Sequence, residues 1–136
     1  MLGIVGRNGA GKTTLLRCLA GLTRERAGTV AVDGAPVAAR RRPGLVHLVM
    51  QEPGYQLFAD SARAELHRES DEAADAMLAA FGLAACAERH PLALSGGERQ
   101  RLAVAAGLAQ GARVLVLDEP TSGLDRANME RVAAVL

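Results

Sequence analysis

The sequence predicts an α/β domain whose parallel strands present functional groups to a ligand at their carboxyl ends. Three observations carry this. Short apolar runs end in glycine-rich or polar loops; helical periodicity follows directly on the first of them; and a long stretch rich in Ala, Leu, Glu and Arg separates the later two.

Element by element, LGIV (2–5) is an apolar run ending in a glycine loop, the pattern of a buried parallel strand. TTLLRCLAGL (13–22) follows with apolar residues at 15, 16, 19 and 22, which is the period of a helix. GTVAVDGAPV (28–37) sets two short β-prone runs around Asp33-Gly34, a two-residue hairpin signal. GLVHLVM (44–50) and RVLVLDEP (113–120) are further strands, each ending in polar residues. Residues 60–109 read as helices, with HPLALSGG (90–97) as a break.

Composition narrows the class. At 136 residues and 49% hydrophobic, the chain can bury one core, and no uncharged apolar run approaches the roughly 18 residues of a membrane span. The N-terminal residues lack the basic segment and apolar core of a secretory signal, so a soluble, cytoplasmic protein is expected. Net charge is +1, which provides no field for gathering nucleic acid. Cys18 and Cys86 form no metal or redox motif and are expected to be buried as small apolar residues. ARRRPG (39–44) reads as a solvated loop face. Of the sixteen basic residues only Lys12 is a lysine, so something at position 12 requires an ammonium.

GRNGAGKT (6–13) supplies that requirement. Gly6 and Gly11-Lys12-Thr13 fit G-x-x-x-x-G-K-[ST] between a strand and a helix. Glycines let main-chain N–H groups converge on a phosphate chain, and the helix start adds its positive dipole end. Lysine brings a compact charge to the β and γ phosphates, and Thr13 offers a hydroxyl to Mg²⁺. A glycine loop used only as a turn leaves the lone lysine unexplained. The second motif, VLVLDEPTSGLD (114–125), delivers Asp118 and Glu119 to a strand end. One carboxylate there can hold Mg²⁺ through water while the other orients and deprotonates an attacking water. Adjacent strand residues point to opposite faces, so the two need not compete, although Asp-Glu-Pro also serves to cap a strand before a turn. LSGGERQ (94–100) resembles another anion loop at a helix start, yet has no lysine nearby.

Together these residues make the chain resemble the nucleotide-binding domain of the ATP-binding cassette family. GRNGAGKT matches its Walker A, Gln51 its Q-loop glutamine, LSGGE its signature, VLVLDEP its Walker B and SGLD its D-loop, in order and across nearly the whole chain. The resemblance implies a RecA-like P-loop NTPase core with a parallel sheet, a small β-hairpin portion and a helical signature subdomain. It places the core at 1–51 and 111–136 and the helical part at about 52–110. ATP and Mg²⁺ are the implied ligands. Gly6, Arg7, Asn8, Gly9, Ala10, Gly11, Lys12, Thr13 and Thr14 would bind the nucleotide, Thr13, Gln51 and Asp118 the metal, and Glu119 with Gln51 would act in hydrolysis. In this family two domains pair head to tail, so Leu94, Ser95, Gly96, Gly97 and Glu98 would face ATP held by a second subunit, which brings its own lysine. Ser122, Gly123, Leu124 and Asp125 would form the D-loop.

A narrower likeness follows the glutamine. MQEPGYQLFADSARAEL (50–66) and FGLAACAERHPLALSGGERQRLAVAAGLAQ (81–110) resemble the ATPase subunits of energy-coupling factor transporters, which drive vitamin and metal-ion uptake. The plainer reading is that Tyr55, Leu57 and Phe58 pack the loop onto the helical region. Integral membrane subunits, no nucleic acid and a peripheral position on the cytoplasmic membrane face are implied. The family's adenine-stacking aromatic and its switch histidine have no counterpart by position, since few residues precede Gly6 or follow Asp125; His47, His67 and His90 all precede Walker B and read as loop or packing residues. A chain truncated at both ends is expected. DNA-repair members would need a coiled-coil insertion or zinc cysteines, and translation-associated members two cassettes; neither is present in this sequence.

Overall fold

The computed structural model describes residues 2–67 and 70–119. Helix α1 (Lys12–Leu19) starts where Gly11 takes φ 91°. It stops on Gly21, φ 79°, whose N–H donates to Cys18 O at 3.0 Å while Leu22 N–H donates to Arg17 O at 2.9 Å. These are the two bonds of a Schellman stop. The helix therefore ends before Leu22, which the apolar period had included and which is exposed. A side chain at position 21 would also collide with the Ala39 carbonyl, 2.3 Å from an ideal Cβ.

Strands β1 (Ala31–Val32) and β2 (Ala35–Pro36) form the expected hairpin, with Ala31 opposite Pro36 and Val32 opposite Ala35. Asp33 and Gly34 both have positive φ, 50° and 77°, as a two-residue turn matched to strand twist requires. Arg113 Nη2 meets the Asp33 carboxylate at 2.5 Å, tying the turn to the residue just before the strand Val114–Leu117.

The arginine run departs from expectation. Ala39–Gly44 is a 3₁₀ helix, and Arg42 is fully buried. Its Nη1 and Nη2 donate to Glu25 at 3.0 and 2.7 Å, Nη1 to Cys18 O and Nε to Val37 O at 2.9 Å each. A buried guanidinium is tolerated because its fork is matched bidentately and two further N–H groups find carbonyls. The same contact holds the Glu25 carboxyl below its usual range. Arg40 and Arg41 are exposed, as expected of the whole run.

β3 (Val46–Val49) and β4 (Val114–Leu117) pair in parallel, Val46 opposite Val114 and Val49 opposite Leu117. Alternation sorts their side chains. Val46, Leu48 and Val116 join Leu16 of α1 and Ala20 at its C-cap in one apolar cluster, whereas Val49, Leu115 and Leu117 pack in another with the later helices. The sheet pair thus has helices on both faces. LGIV, by contrast, is no strand: residues 2–5 have no regular structure and are exposed, Val5 at 97%. An apolar run becomes a buried strand only where neighbours take its main-chain hydrogen bonds, and β3 and β4 pair only with each other among the described residues.

The expected helical stretch resolves into α2 (Ala62–Leu66), α3 (Asp71–Ala80) and α4 (Gly96–Ala109), with α2 and α3 packed against α4. Ser61, Ser70 and Ser95 cap them, accepting from Ala64, Ala73 and Glu98 N–H. Residues 100–107 of α4 are all buried, which makes it the spine of the core. Its alanines and Gly107 allow sheet and helices to approach from several sides.

Candidate functional site

The glycine loop is shaped by two left-handed residues, Gly9 (φ 80°) and Gly11 (φ 91°), conformations that cost other side chains about 1 kcal/mol or more. Ala10 N–H donates to Arg7 O at 3.1 Å and closes the turn. Lys12 Nζ folds back over the loop, donating to Gly6 O at 2.9 Å and Arg7 O at 3.2 Å. A cleft of about 240 Å³ opens beneath it, lined by Asn8, Gly9, Gly11, Lys12, Thr13 and Thr14 and, from the far end of the chain, by Glu119. Pockets that bury a whole drug-sized ligand run to roughly 300–1,000 Å³. This cleft has the scale of a phosphate chain, and it is lined by Lys12, Thr13 and Thr14, the first turn of α1, where a helix leaves its N–H groups free.

Parallel pairing delivers the second half of the site. Asp118 N–H donates to Val49 O at 2.9 Å, which extends the ladder one residue past β4 and sets the carboxylate beside α1. Thr13 Oγ1 donates to Asp118 Oδ1 at 3.1 Å, and Asp118 is buried. The next residue breaks the strand. Glu119 takes φ 50°, a strained region for a side chain of its size, at a cost of about 1–3 kcal/mol. The expected alternation of faces therefore does not separate the two carboxylates; the turn brings Glu119 to the same cleft that Thr13 lines. They differ in partner instead. Asp118 holds Thr13, whereas Glu119 accepts from Gln51 Nε2 at 3.2 Å.

The signature residues lie apart from this cleft, since none of 94–98 lines it. Leu94 is buried, and Ser95 caps α4 in a reciprocal box: Glu98 N–H donates to Ser95 Oγ at 3.3 Å and Ser95 N–H to Glu98 Oε2 at 2.7 Å. Gly96 and Gly97 supply the first-turn N–H groups that this box does not engage. The S-x-x-E spacing inside LSGGE announces the box. Cys86 donates its S–H to Glu98 Oε1 at 3.3 Å, and burial pushes its thiol pKa up. Cys86 is buried as expected, whereas Cys18 is only half-buried. The D-loop residues Ser122, Gly123, Leu124 and Asp125 lie outside the described residues.

The box has a pH consequence. Hydrogen bonds from the Ser95 main chain and then its side chain lower Glu98 from 4.5 to about 2. The folded value lies below the unfolded one, so the charge stabilises above about pH 4.5 and its contribution disappears as pH falls toward about 2. Glu98→Gln keeps an acceptor and removes the charge. Its melting temperature should lie below wild type at pH 7, and the gap should close between pH 4.5 and 2; a gap independent of pH would contradict the assignment.

Sequence reasoning missed several contributors. Leu57 packs inward, but Tyr55 and Phe58 are 78% and 81% exposed, so the segment after Gln51 does not simply pad the loop. Gln56, inside the 50–66 segment, accepts Met50 N–H at 2.8 Å and lies 3.3 Å from His47. His67 pairs with Asp71, and His90 caps the 3₁₀ turn Pro91–Ala93.

Fold and loop together define an α/β domain of P-loop type, built to hold the phosphates of a nucleotide. The sequence model of the ABC transporter family matches residues 1–122, and the chain belongs to that family. An ABC transporter ATP-binding protein of Treponema denticola is 46% identical, covering 100% of this chain and 29% of its own length. One from Streptomyces coelicolor is 42% identical, with 99% and 53% covered. Among solved structures, cbiO1 of Clostridium perfringens, part of the ABC transporter complex cbiONQ, superposes with TM-score 0.76 at 27% identity, covering 96% of this chain and 57% of that one. A bacterial Atm1-family ABC exporter with ATP bound gives 0.78 at 25% identity, with 94% and 25% covered. The chain spans about a third to a half of the length of these two curated relatives.

Proposed function

We propose that this chain binds and hydrolyses Mg-ATP as the ATPase subunit of a membrane transporter. The observation that carries the reading is the meeting, at one cleft, of the only lysine, the Thr13–Asp118 contact and Glu119. Main-chain N–H groups of the loop and α1 cradle the phosphates while Lys12 exchanges its carbonyl partners for phosphate oxygens. The Thr13 hydroxyl and the Asp118 carboxylate are adjacent hard oxygen donors, the set that suits Mg²⁺, with Gln51 as a third. The ion would neutralise phosphate charge when bound. Glu119 accepts a proton from water as its oxygen attacks the γ-phosphorus, the bond to ADP breaks, and ADP and phosphate leave. Gln51, already bonded to Glu119, orients that carboxylate.

In this reading residues 1–51 and 111–136 form the core and about 52–110 the helical part. Residues 94–98, with their free glycine N–H groups, serve ATP on a second ATPase subunit in a head-to-tail pair. Membrane subunits dock at the cytoplasmic face, and the exposed Tyr55 and Phe58 beside the Gln51 loop suit such a contact. Vitamin or metal-ion uptake of the energy-coupling factor type is the finer proposal. It rests on QLFA after the loop, on the short helical part and on the likeness to cbiO1. The equally good overlap with an exporter leaves that choice to the sequence segment.

Mixing two variants tests the shared site. Gly97→Asp and Lys12→Ala should each be inactive alone, whereas their mixture should recover part of the Mg-ATP turnover, because one of the two composite sites then carries neither defect. No recovery, with mixed dimers shown to form, would reject a signature that works across the pair.

A further inference from the structure

Between α4 and the Gln51 loop runs a chain of polar contacts whose middle member, Gln56, is the glutamine of QLFA. Gln56 Oε1 accepts Met50 N–H at 2.8 Å, which closes the loop 51–55, and Gln56 Nε2 lies 3.3 Å from His47 Nε2. Each contact dictates the chemistry of the other. Because the amide oxygen is taken by an N–H, the amide nitrogen must face the ring, and a ring nitrogen that receives an N–H must itself carry no proton. His47 is then neutral with its hydrogen on Nδ1.

The surroundings of the ring favour that form. Burial lowers the His47 pKa, which outweighs the opposing effect of the ring's hydrogen bond to the main chain of Ala103 in α4. At Gly107, one turn further along, an added Cβ would lie 2.5 Å from His47 Cδ2, so the helix backbone sits directly against the imidazole. At the other end Met50 precedes Gln51, whose amide donates to Glu119 at 3.2 Å. A continuous path therefore leads from Ala103 through His47, Gln56 and the Met50–Gln51 peptide to Glu119, and it starts on the helix that Ser95 caps and whose first turn carries Gly96 and Gly97.

We infer that His47 and Gln56 are positioning residues that hold the Gln51 loop against Glu119 and tie its placement to α4. This deepens the ATPase reading and rests on Glu119 as the group that polarises water. A loop with few internal bonds samples many placements, and fastening its first amide from the side removes most of them. Movement of α4 shifts Ala103 and the Gly107 seat together, so it reaches Gln51 through two side chains and not through a long stretch of backbone. Gln56 touches no reacting atom; its effect passes through Gln51.

Two substitutions in the intact protein test this. Gln56→Leu preserves bulk and removes both polar atoms, whereas Gln56→Glu keeps an oxygen for Met50 N–H and, by its charge, favours a second proton on His47 Nε2, which then donates where it had accepted. In Gln56→Leu, Mg-ATP turnover should fall roughly 10- to 100-fold, the usual range for losing a partner that orients a functional side chain. KM should stay within about threefold, as expected when placement and not binding is lost. Amide exchange at Met50 should quicken by about tenfold or more as its acceptor disappears. Gln56→Glu should recover most of the turnover and of the Met50 protection. Turnover in Gln56→Leu within about twofold of wild type would overturn the inference. So would a Gln56→Glu variant as impaired as Gln56→Leu. If the unsubstituted protein binds Mg-ATP without hydrolysing it, the ATPase reading fails separately. Met50 exchange then decides the placement alone: faster exchange in Gln56→Leu upholds it, and unchanged exchange overturns it.

Discussion

Glu119→Gln is expected to lower Mg-ATP turnover by roughly 10²- to 10⁴-fold while leaving Mg-ATP affinity nearly unchanged, the signature of losing a general base. The substitution keeps size and an oxygen that accepts from Gln51 Nε2, but an amide cannot take the proton of the attacking water. The strained backbone supports this assignment. A left-handed glutamate at the end of a strand is held against a cost of about 1–3 kcal/mol, and what it gains is a carboxylate in the phosphate cleft. With hydrolysis stalled and binding intact, the nucleotide-bound pair of subunits should accumulate, visible by size-exclusion chromatography. Asp118→Asn should behave differently, because Asp118 faces Thr13 and not the water side: it should raise the Mg²⁺ concentration needed for activity. If both variants lost affinity with turnover intact, the division of roles would be wrong.

Features written in neighbouring residues were the ones the sequence disclosed. Asp33-Gly34 specifies its hairpin because only positive φ at both turn residues suits so short a connection. GLVHLVM and RVLVLDEP disclosed two strands because each carries its own apolar run and polar end. Contacts set by tertiary placement stayed hidden. Arg42 looked like one of three equivalent loop arginines, and only the folded chain brings Glu25 and the carbonyls of Cys18 and Val37 around it. LGIV carried the pattern of a strand, yet pattern does not supply the neighbours that turn an apolar run into one. In the candidate site, Lys12 and Asp118 were legible as residue types demanded by phosphate and metal chemistry. The Thr13–Asp118 bond spans 105 positions and needs both the parallel register and the packing of α1 on β3. Glu119 was legible as a carboxylate but not as a left-handed residue, since nothing in DEP demands that conformation. Gln56 and His47 were least visible, because a glutamine in an apolar segment gains meaning only from the amide and the ring that face it.

Lys12→Ala is expected to remove measurable Mg-ATP binding, and Lys12→Arg to fare little better. The ammonium now makes two hydrogen bonds to the loop's own carbonyls, Gly6 O and Arg7 O, so it is poised over the cleft before any phosphate arrives. Exchanging those neutral acceptors for phosphate oxygens makes each bond charge-assisted on both sides, worth about 1.5–3 kcal/mol apiece. Losing two such bonds weakens binding by roughly 10²-fold or more, enough to carry a micromolar affinity out of calorimetric range. Arginine preserves the charge but not the shape. Its planar fork needs acceptors in one plane at the end of a longer stem, whereas the turn through Gly9 and Gly11 encloses a cleft of about 240 Å³ suited to a compact head. The fifteen arginines elsewhere in the chain show that this composition accepts arginine freely, and position 12 is where it does not. Wild-type affinity in Lys12→Arg, measured by titration calorimetry with the melting temperature unchanged, would mean that charge alone suffices and that the shape of the loop plays no part in selecting lysine.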